Sequence, residues 1–577
     1  NRRMAQKKVV SRSVDKLQKS KTMVDVPKSR SFFEWMEDFL SKNANILLGI
    51  ILAFSVLLCG LLFDFKISIG HDDALYLEGS WRYAQNFFFY FYSANAPLYV
   101  ILMSLPIKLF GLNLGLLKLF SVFFFLAAIC ITYITFKNRV PYLVLFFGLI
   151  IFATNHFYIS YASLTYTECF FALVQSIFLN AFFKLIDTIN TNGNAINKNW
   201  KHWLWMGFWM WVIITTRSVA TFSIFAIIVY FIVEKQWKAI PYSVIALAIF
   251  WGPWELAKKV LWKGIQTNQY ASQGKTLTVV GQNPAGEVET ISGYIIRFFE
   301  NTEIYLSARL WEILGFLPEN SPNVRSLTIF TILAILVGLF FAFKNKNKAM
   351  FFTILYYGAL LSGTFIMLQT FWGQARLVMV YLPFILFTAF YGIYAILEKG
   401  ALRYIQPIIF LFFFILFVKG MDTTFEKAIK NRPIVSKNLK GDKLAGYTPD
   451  YINYFKMSEY CADSLPKESM VAVRKAPMSF IYGKGKDFWA VYSVPTNNAD
   501  TLLMEWKKGN VSHVILSPIR TDPSYYNPES YVNTVHRYVA TIEQTYPGTF
   551  QLVKTIGDQE ASTLYKINYP VDTTKVE

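Results

Sequence analysis

The sequence has 577 residues, of which 54% are hydrophobic, 18% aromatic and only 16% charged. This composition excludes an ordinary soluble protein, because long apolar stretches such as 44–63, 114–136 and 350–368 would have no partner large enough to cover them in water. The net charge of +19 does not indicate nucleic-acid binding, since the basic excess lies in the tail 1–42 and the region after Gly420 is near charge balance.

In chain order, the basic tail 1–43 is predicted to lie in the cytoplasm against anionic lipid. The first apolar run begins only after this tail and is long enough to span, so we interpret it as an anchor and not as a cleaved signal peptide. Eleven spans are predicted in all. They lie at about 44–63, 114–136, 141–158, 164–186, 201–216, 218–234, 239–257, 325–343, 349–370, 376–396 and 402–419.

The apolar segment 97–110 is shorter than a normal span, and we interpret it as a juxtamembrane or re-entrant helix. With eleven spans and a cytoplasmic N-terminus, five short loops face the cytoplasm, and all five carry the basic residues typical of that side. These residues are Lys137, Arg139, Lys198, Lys201, Lys235, Lys238, Lys344, Lys346, Lys348, Lys399 and Arg403. A full span at 97–110 would place every one of them outside.

This topology divides the chain into the tail, a transmembrane domain at 44–419 and an extracytoplasmic domain at 420–577. The transmembrane domain has two long outer loops, 64–113 and 258–324. The last domain alternates strand-like runs with helical patterns, which predicts a small α/β fold. The runs lie at about 470–474 and 513–516, and the helical patterns at 499–508 and 532–544.

Two adjacent carboxylates, Asp72 and Asp73, follow the first span in the sequence Gly70-His71-Asp72-Asp73-Ala74. A carboxylate near the low-dielectric boundary is suited to be a general base that deprotonates a hydroxyl. The structural alternative is a pair of loop acids that cap a helix beginning at Ala74. A divalent metal bound by Asp72 and Asp73 together with His71 and His156 is a further interpretation, although no HxxxH or HExxH spacing supports it.

A third carboxylate, Glu168, lies at the outer end of an apolar span, where an ionisable side chain should face a cavity or a partner. Arg217 and Arg376 lie at the same level, and their forked donors suit a phosphate or pyrophosphate. Structural alternatives are a buried pair between Glu168 and Arg217, and arginines that extend to the membrane interface.

Six short segments resemble, in order, motifs of the type C glycosyltransferase superfamily (GT-C), in particular the branch with protein O-mannosyltransferases and lipid A aminoarabinose transferases. They are Asp72 to Tyr76, Asn95 to Gly111, Tyr158 to Glu168, Thr216-Arg217, Pro253-Trp254 and Arg376 to Pro383. Two positions depart from the pattern: Asp73 replaces the usual Glu, and Asn95-Ala96-Pro97 lacks the His-Pro-Pro or Lys-Pro of the nearest relatives. These departures leave the acceptor open.

The resemblance implies a polytopic helical fold and an inverting transfer, in which a first-loop Asp activates an acceptor hydroxyl while a sugar leaves a polyprenyl phosphate. The acceptor would be a lipid, a glycan or a protein on the outer face of the plasma or inner membrane. The predicted catalytic acids are Asp72, Asp73 and Glu168. The predicted phosphate-binding residues are Arg376, Arg217, Lys258 and Lys259, and the predicted substrate pocket contains His71, Tyr76, Tyr99, Trp254 and Trp372.

Two other classes of membrane protein could also have this many spans. A transporter or flippase should show internal repeats and charges near the middle of the membrane, whereas the charges here are predicted at one face. A noncatalytic scaffold of an envelope assembly would need neither Asp72 nor Glu168. Substitution of these two residues separates a scaffold from an enzyme.

Overall fold

The computed structural model of the protein describes residues 31–92, 96–191, 199–263, 277–281, 286–491, 498–521 and 531–570. The predicted tail is therefore described only from Ser31 onward, and part of the second outer loop and Asn95 lie outside the described residues. We number helices and strands within these ranges.

The membrane part is helical. Its helices are α1 (Phe32–Lys42), α2 (Ala44–Leu62), α3 (Asp72–Gln85), α4 (Pro97–Phe110), α5 (Leu114–Phe136), α6 (Tyr142–Thr154), α7 (His156–Ala162), α8 (Glu168–Thr191), α9 (Trp200–Thr216), α10 (Ser223–Val233), α11 (Ala239–Leu261), α12 (Ile291–Glu303), α13 (Leu310–Ile313), α14 (Arg325–Lys344), α15 (Lys348–Met367), α16 (Arg376–Met379), α17 (Leu382–Leu397) and α18 (Gln406–Leu439). Short 3₁₀ or π segments lie at Phe87–Phe89, Ser218–Phe222, Ile304–Arg309, Thr370–Trp372 and Gly400–Ile405.

All eleven predicted spans fall on helices, but not all of these helices are long. Among the described residues, seven helices are long and apolar enough to cross a membrane, or eight if α6 and α7, bent by 52° at their junction, form one span. Asn155 makes this bend, because its side chain accepts hydrogen bonds from the first amides of α7. The segments α9, 218–233 and α17 are shorter. The predicted integral membrane protein is confirmed, while its number of crossings is not fixed by helix length.

Helix α4 is a short apolar helix, at the segment that we interpreted as juxtamembrane or re-entrant. Helix α18 continues to Leu439, so the domain boundary predicted at 420 lies inside it. The predicted boundary falls at 420 because the apolar run ends there. The charged residues that follow are good helix formers and extend the same helix.

The predicted inner loops meet at one end of the molecule. Asn347 donates to the carbonyl oxygen of Arg139 over 2.8 Å, and Lys348 pairs with Glu234 at 2.8 Å. At the same end, the carboxylate of Glu37 on α1 accepts hydrogen bonds from the first amides of α6. Loops separated by as many as 208 residues therefore share one face, as an alternating series of spans requires.

The C-terminal part contains a five-stranded sheet with the strand order β2-β1-β3-β5-β4. Strand β1 is parallel to β2 and β3, and β5 is antiparallel to β3 and β4. The strands are β1 (Met470–Val473), β2 (Phe488–Ala490), β3 (Val511–Leu516), β4 (Phe550–Ile556) and β5 (Ser562–Ile567), and the helices are α19 (Pro449–Ser464), α20 (Ala476–Tyr482), α21 (Ala499–Lys508) and α22 (Thr534–Thr545). The predicted α/β domain is confirmed.

This domain packs on the first outer loop. Phe480 of α20 makes an edge contact with Trp81 of α3 at 5.2 Å between ring centroids, and Asp487 pairs with Arg82 of α3 at 2.7 Å. The hydroxyl of Tyr447 also lies between the backbone N–H and C=O of Ile67. The loop that carries Asp72 and Asp73 is therefore held between the membrane helices and the C-terminal domain.

Candidate active site

Helix α3 begins at Asp72, two residues earlier than the sequence suggests. His71 precedes it with a left-handed backbone (φ 58°), a conformation that is uncommon outside glycine. Asp72 and Asp73 both lie in the first turn, where carboxylates interact favourably with the helix dipole. Because successive residues of an α-helix point about 100° apart, the two carboxylates face different surroundings.

Asp72 contacts Arg376, at the start of α16. The two side chains form an ion pair with 2.5 Å between Oδ2 of Asp72 and Nη2 of Arg376, and the Asp72 side chain remains 31% exposed. The guanidinium also donates from Nε to Gln374 over 2.7 Å and lies over the ring of Tyr166 at 5.0 Å. The first loop and the link before α16 thus meet at this ion pair.

Glu168 contacts Arg217, the residue that ends α9. One oxygen of Glu168 lies 3.5 Å from Nη1 of Arg217, while the other is buried without a hydrogen-bond partner among the described residues. Glu168 is only 1% exposed, and Arg217 lies over the ring of Phe171. The predicted structural pair therefore exists, but it leaves one buried acceptor unused, which is costly without a ligand or water.

The two ion pairs form one charge cluster, defined here as Asp72, Glu168, Arg217 and Arg376. The hydroxyls of Tyr76 and Tyr161 each lie within electrostatic range of all four members. Tyr76 also packs edge-on against Tyr99 and Tyr166. The two acids and two arginines therefore form a polar site that lies beside tyrosine hydroxyls and is bounded by aromatic rings.

Asp73 lies outside this cluster and is fully buried. Its oxygens accept hydrogen bonds from the backbone amides of Ser68 and Ala74, each at 2.9 Å. Burial raises the pKa of Asp73 to about 7, although these amides and the nearby Lys118 ammonium oppose the rise. Both carboxylate oxygens of Asp73 therefore hold the backbone of the loop before and at the start of α3.

Lys118 is the residue of this region that the sequence reasoning missed. Its side chain is buried on α5, where its ammonium donates to the backbone carbonyls of Asp64 and Lys66 and lies 3.4 Å from the Asp64 carboxylate. The signal was present, because a lysine four residues into an apolar span needs a partner.

Four other predicted residues, the tryptophans and the lysines, make their contacts outside the cluster in the described part of the chain. Trp254 packs against Trp262, whose indole nitrogen donates to Phe87 of the first loop. Trp372 lies in the turn shortly before Arg376. Lys258 pairs with Glu255 on its own helix, and Lys259 is exposed. In the described part of the chain, no hydrogen bond or ion pair joins either lysine to the cluster.

The donor set does not fit a divalent cation at Asp72 and Asp73. Asp72 is paired with the guanidinium of Arg376, and both oxygens of Asp73 accept hydrogen bonds from backbone amides. Within the described ranges, no group of three or more His, Cys, Asp or Glu side chains could hold a metal ion. We therefore assign no step of the chemistry to a metal.

Comparison with solved structures identifies the fold; no family model and no curated protein matches the sequence. ArnT from Cupriavidus metallidurans bound to undecaprenyl phosphate is 11% identical, with a TM-score of 0.55 over 90% of this chain and 97% of that one. The archaeal oligosaccharyltransferase AglB from Archaeoglobus fulgidus, in complex with an inhibitory peptide and a dolichol-phosphate, is 11% identical over 92% of this chain and 75% of that one, with a TM-score of 0.49. The likeness to ArnT shows that the chain has the fold of this membrane protein, which is the type C glycosyltransferase fold that the sequence motifs indicate.

Proposed function

We propose that the protein is an inverting glycosyltransferase that moves a sugar from a polyprenyl-phosphate donor to an acceptor hydroxyl on the extracytoplasmic face of the membrane. The observation that carries this proposal is the charge cluster. The partly exposed carboxylate of Asp72 pairs with Arg376, and Arg217 belongs to the same cluster, at the end of the membrane domain opposite the basic loops.

In the proposed reaction Asp72 accepts the proton of the acceptor hydroxyl as the hydroxyl oxygen attacks the anomeric carbon of the sugar. The bond between that carbon and the phosphate oxygen breaks, and its electron pair remains on the phosphate. Attack from the side opposite the phosphate inverts the anomeric centre. Arg376 and Arg217 stabilise the charge that develops on the leaving phosphate.

The ion pair between Asp72 and Arg376 requires a rearrangement in this scheme. Arg376 holds Asp72 before the donor binds, and the incoming phosphate then takes over part of the guanidinium. Asp72 keeps its position at the helix start, so its carboxylate becomes available to the acceptor only when the donor is present. This order would protect the activated site from premature proton transfer.

The test is Asp72→Asn in purified protein, assayed with a panel of undecaprenyl-phosphate sugars and hydroxyl acceptors. Asn retains the shape but cannot accept the proton, and a positioned base contributes about 100- to 10,000-fold to rate. We expect a loss in this range with normal membrane insertion. Asp187→Asn, which breaks the ion pair with Arg139 at the opposite end, should leave turnover unchanged. Near wild-type turnover of Asp72→Asn would make the base assignment wrong.

A further inference from the structure

Lys475 brings a cation of the C-terminal domain to the first outer loop. It is the residue before α20, the helix that packs on α3. Its ammonium donates to the carbonyl oxygen of Ile69 and lies over the ring of Tyr451 at 5.8 Å. It also interacts electrostatically with Asp72. The C-terminal domain therefore places this side chain next to the candidate active site.

The charge of Lys475 is not matched by a carboxylate at ion-pair distance among the described residues. Burial and the neighbouring Arg474 lower the pKa of Lys475 to about 8, while Asp72 opposes this shift. The lysine is therefore mainly charged at pH 7. A largely buried ammonium with one carbonyl acceptor and no paired acid has unused donors, which an oxyanion would satisfy.

His71 gives a second, independent observation. Its Nδ1 is buried and has no hydrogen-bond partner in the described part of the structure. Burial, followed by the positive charge of Lys475, lowers the pKa of His71 to about 4, so the ring is neutral at pH 7. Lys475 and His71 thus present unused hydrogen-bonding atoms next to Asp72, from the side of the loop that meets the C-terminal domain.

We propose that Lys475 and His71 form an anion subsite for the acceptor, so that the acceptor carries a phosphate or carboxylate close to its reactive hydroxyl. This inference rests on the proposed function, because it takes Asp72 as the base and the arginines as the donor side. The membrane helices supply Arg217 and Arg376, whereas the soluble domain supplies Lys475. The anion at Lys475 is accordingly assigned to the acceptor and not to the lipid donor.

The experiment compares ligand-induced thermal stabilisation of the full-length protein in detergent, with glucose 6-phosphate, glucose and undecaprenyl phosphate as separate probes. Lys475→Gln keeps a donor for the Ile69 carbonyl but removes the charge, and Lys475→Arg keeps the charge. Lys486→Gln is the matched control, because Lys486 is also buried in this domain and donates to the backbone carbonyl of Pro466.

We expect glucose 6-phosphate to stabilise the wild type more than glucose does. Its apparent Kd should rise at least about tenfold in Lys475→Gln and stay near the wild-type value in Lys475→Arg and Lys486→Gln. Undecaprenyl phosphate should stabilise the wild type and Lys475→Gln equally. Its failure to stabilise the wild type would contradict the proposed function instead of the subsite.

Three results would overturn the subsite. The first is that glucose 6-phosphate stabilises the wild type no better than glucose does. The second is that it stabilises Lys475→Gln as well as the wild type, which would make Lys475 a tether for the loop. The third is a loss of undecaprenyl phosphate stabilisation in Lys475→Gln, which would assign the lysine to the donor.

Discussion

Arg376 makes contacts on three sides that one ammonium group cannot reproduce: an acid, an amide oxygen and an aromatic ring. We therefore expect Arg376→Lys to weaken donor use although the charge is conserved. The loss of one charge-assisted bond to phosphate costs about 1.5 to 3 kcal/mol, or roughly ten- to a hundredfold in transfer efficiency. Measurement of transfer rate against donor concentration checks this.

The matched control is Arg139→Lys, because Arg139 also binds an aspartate and lies over an aromatic ring, but at the opposite end of the molecule. Its donor dependence should equal that of the wild type. If Arg376→Lys gives the same curve as well, Arg376 does not bind the phosphate, and Arg217 becomes the main candidate.

Asp73 supplies a prediction about pH. Its folded-state pKa of about 7 lies above the ordinary aspartate value of 3.8, so the folded protein binds a proton more tightly than the unfolded chain. This contribution to stability is present at low pH and is lost as the pH rises from about 4 to 7. Asp73→Asn should remove it. We expect the melting temperature of the variant, relative to wild type, to be higher at pH 7.5 than at pH 5.

The comparison must use the difference between the two proteins, since His71 titrates in the opposite sense. Its folded-state pKa of about 4 lies below the ordinary histidine value of 6.5, so the folded protein gains stability as the pH rises through that interval. Because both proteins contain His71, the difference between their melting temperatures cancels its contribution. A difference that is the same at both pH values would mean that Asp73 is ionised throughout.

At the scale of elements, Lys118 joins the beginning of α5 to the loop between α2 and α3. This ammonium holds the backbone at Asp64 and Lys66 and lies near Asp73. Lys118→Met would remove the buried cation beside Asp64 and Asp73, and breaking a buried charge pair costs about 3 to 5 kcal/mol. We expect a melting temperature lower by several degrees and poorer activity.

Lys108→Met is the control, because Lys108 is exposed on α4 and should tolerate the change. The double variant Lys118→Met with Asp73→Asn should recover part of the loss, since it removes the unpaired acid together with the cation. Strictly additive losses would mean that the two residues are not coupled.

The sequence predicted the elements of the membrane domain well because apolar runs and basic loops are imposed by the bilayer itself. It did not predict that α18 continues beyond 420, since hydropathy reports lipid contact and not helix length. It also missed β2, β4 and β5, of which β4 is largely exposed and so lacks an alternating apolar pattern. Edge strands of this kind take their register from neighbours distant in sequence.

At the scale of the whole molecule, the candidate site could be predicted in its residue types and in one of its two ion pairs. Asp72, Glu168, Arg217 and Arg376 are each charges at the end of a span, and the pair between Glu168 and Arg217 was one of the alternatives that the sequence offered. The pairing of Arg376 with Asp72 depends on how distant helices pack, which one sequence does not reveal. The packing of the C-terminal domain on the first outer loop likewise depends on contacts between residues that are distant in the sequence.

The orientation of the whole molecule follows from the same packing and can be measured. The basic loops meet at one end, and the charge cluster lies with the C-terminal domain at the other, so the positive-inside rule predicts that the cluster faces outward.

Cysteines introduced at the exposed positions Ser436 and Asn345 report the two sides. In intact cells, a membrane-impermeant maleimide should label Ser436→Cys and leave Asn345→Cys unlabelled, while both should react after the membrane is permeabilised. The unmodified protein is the control, since three of its four free cysteines are buried. The reverse pattern would place Asp72 in the cytoplasm beside soluble nucleotide sugars, and the proposed use of an extracytoplasmic lipid-linked donor would be wrong.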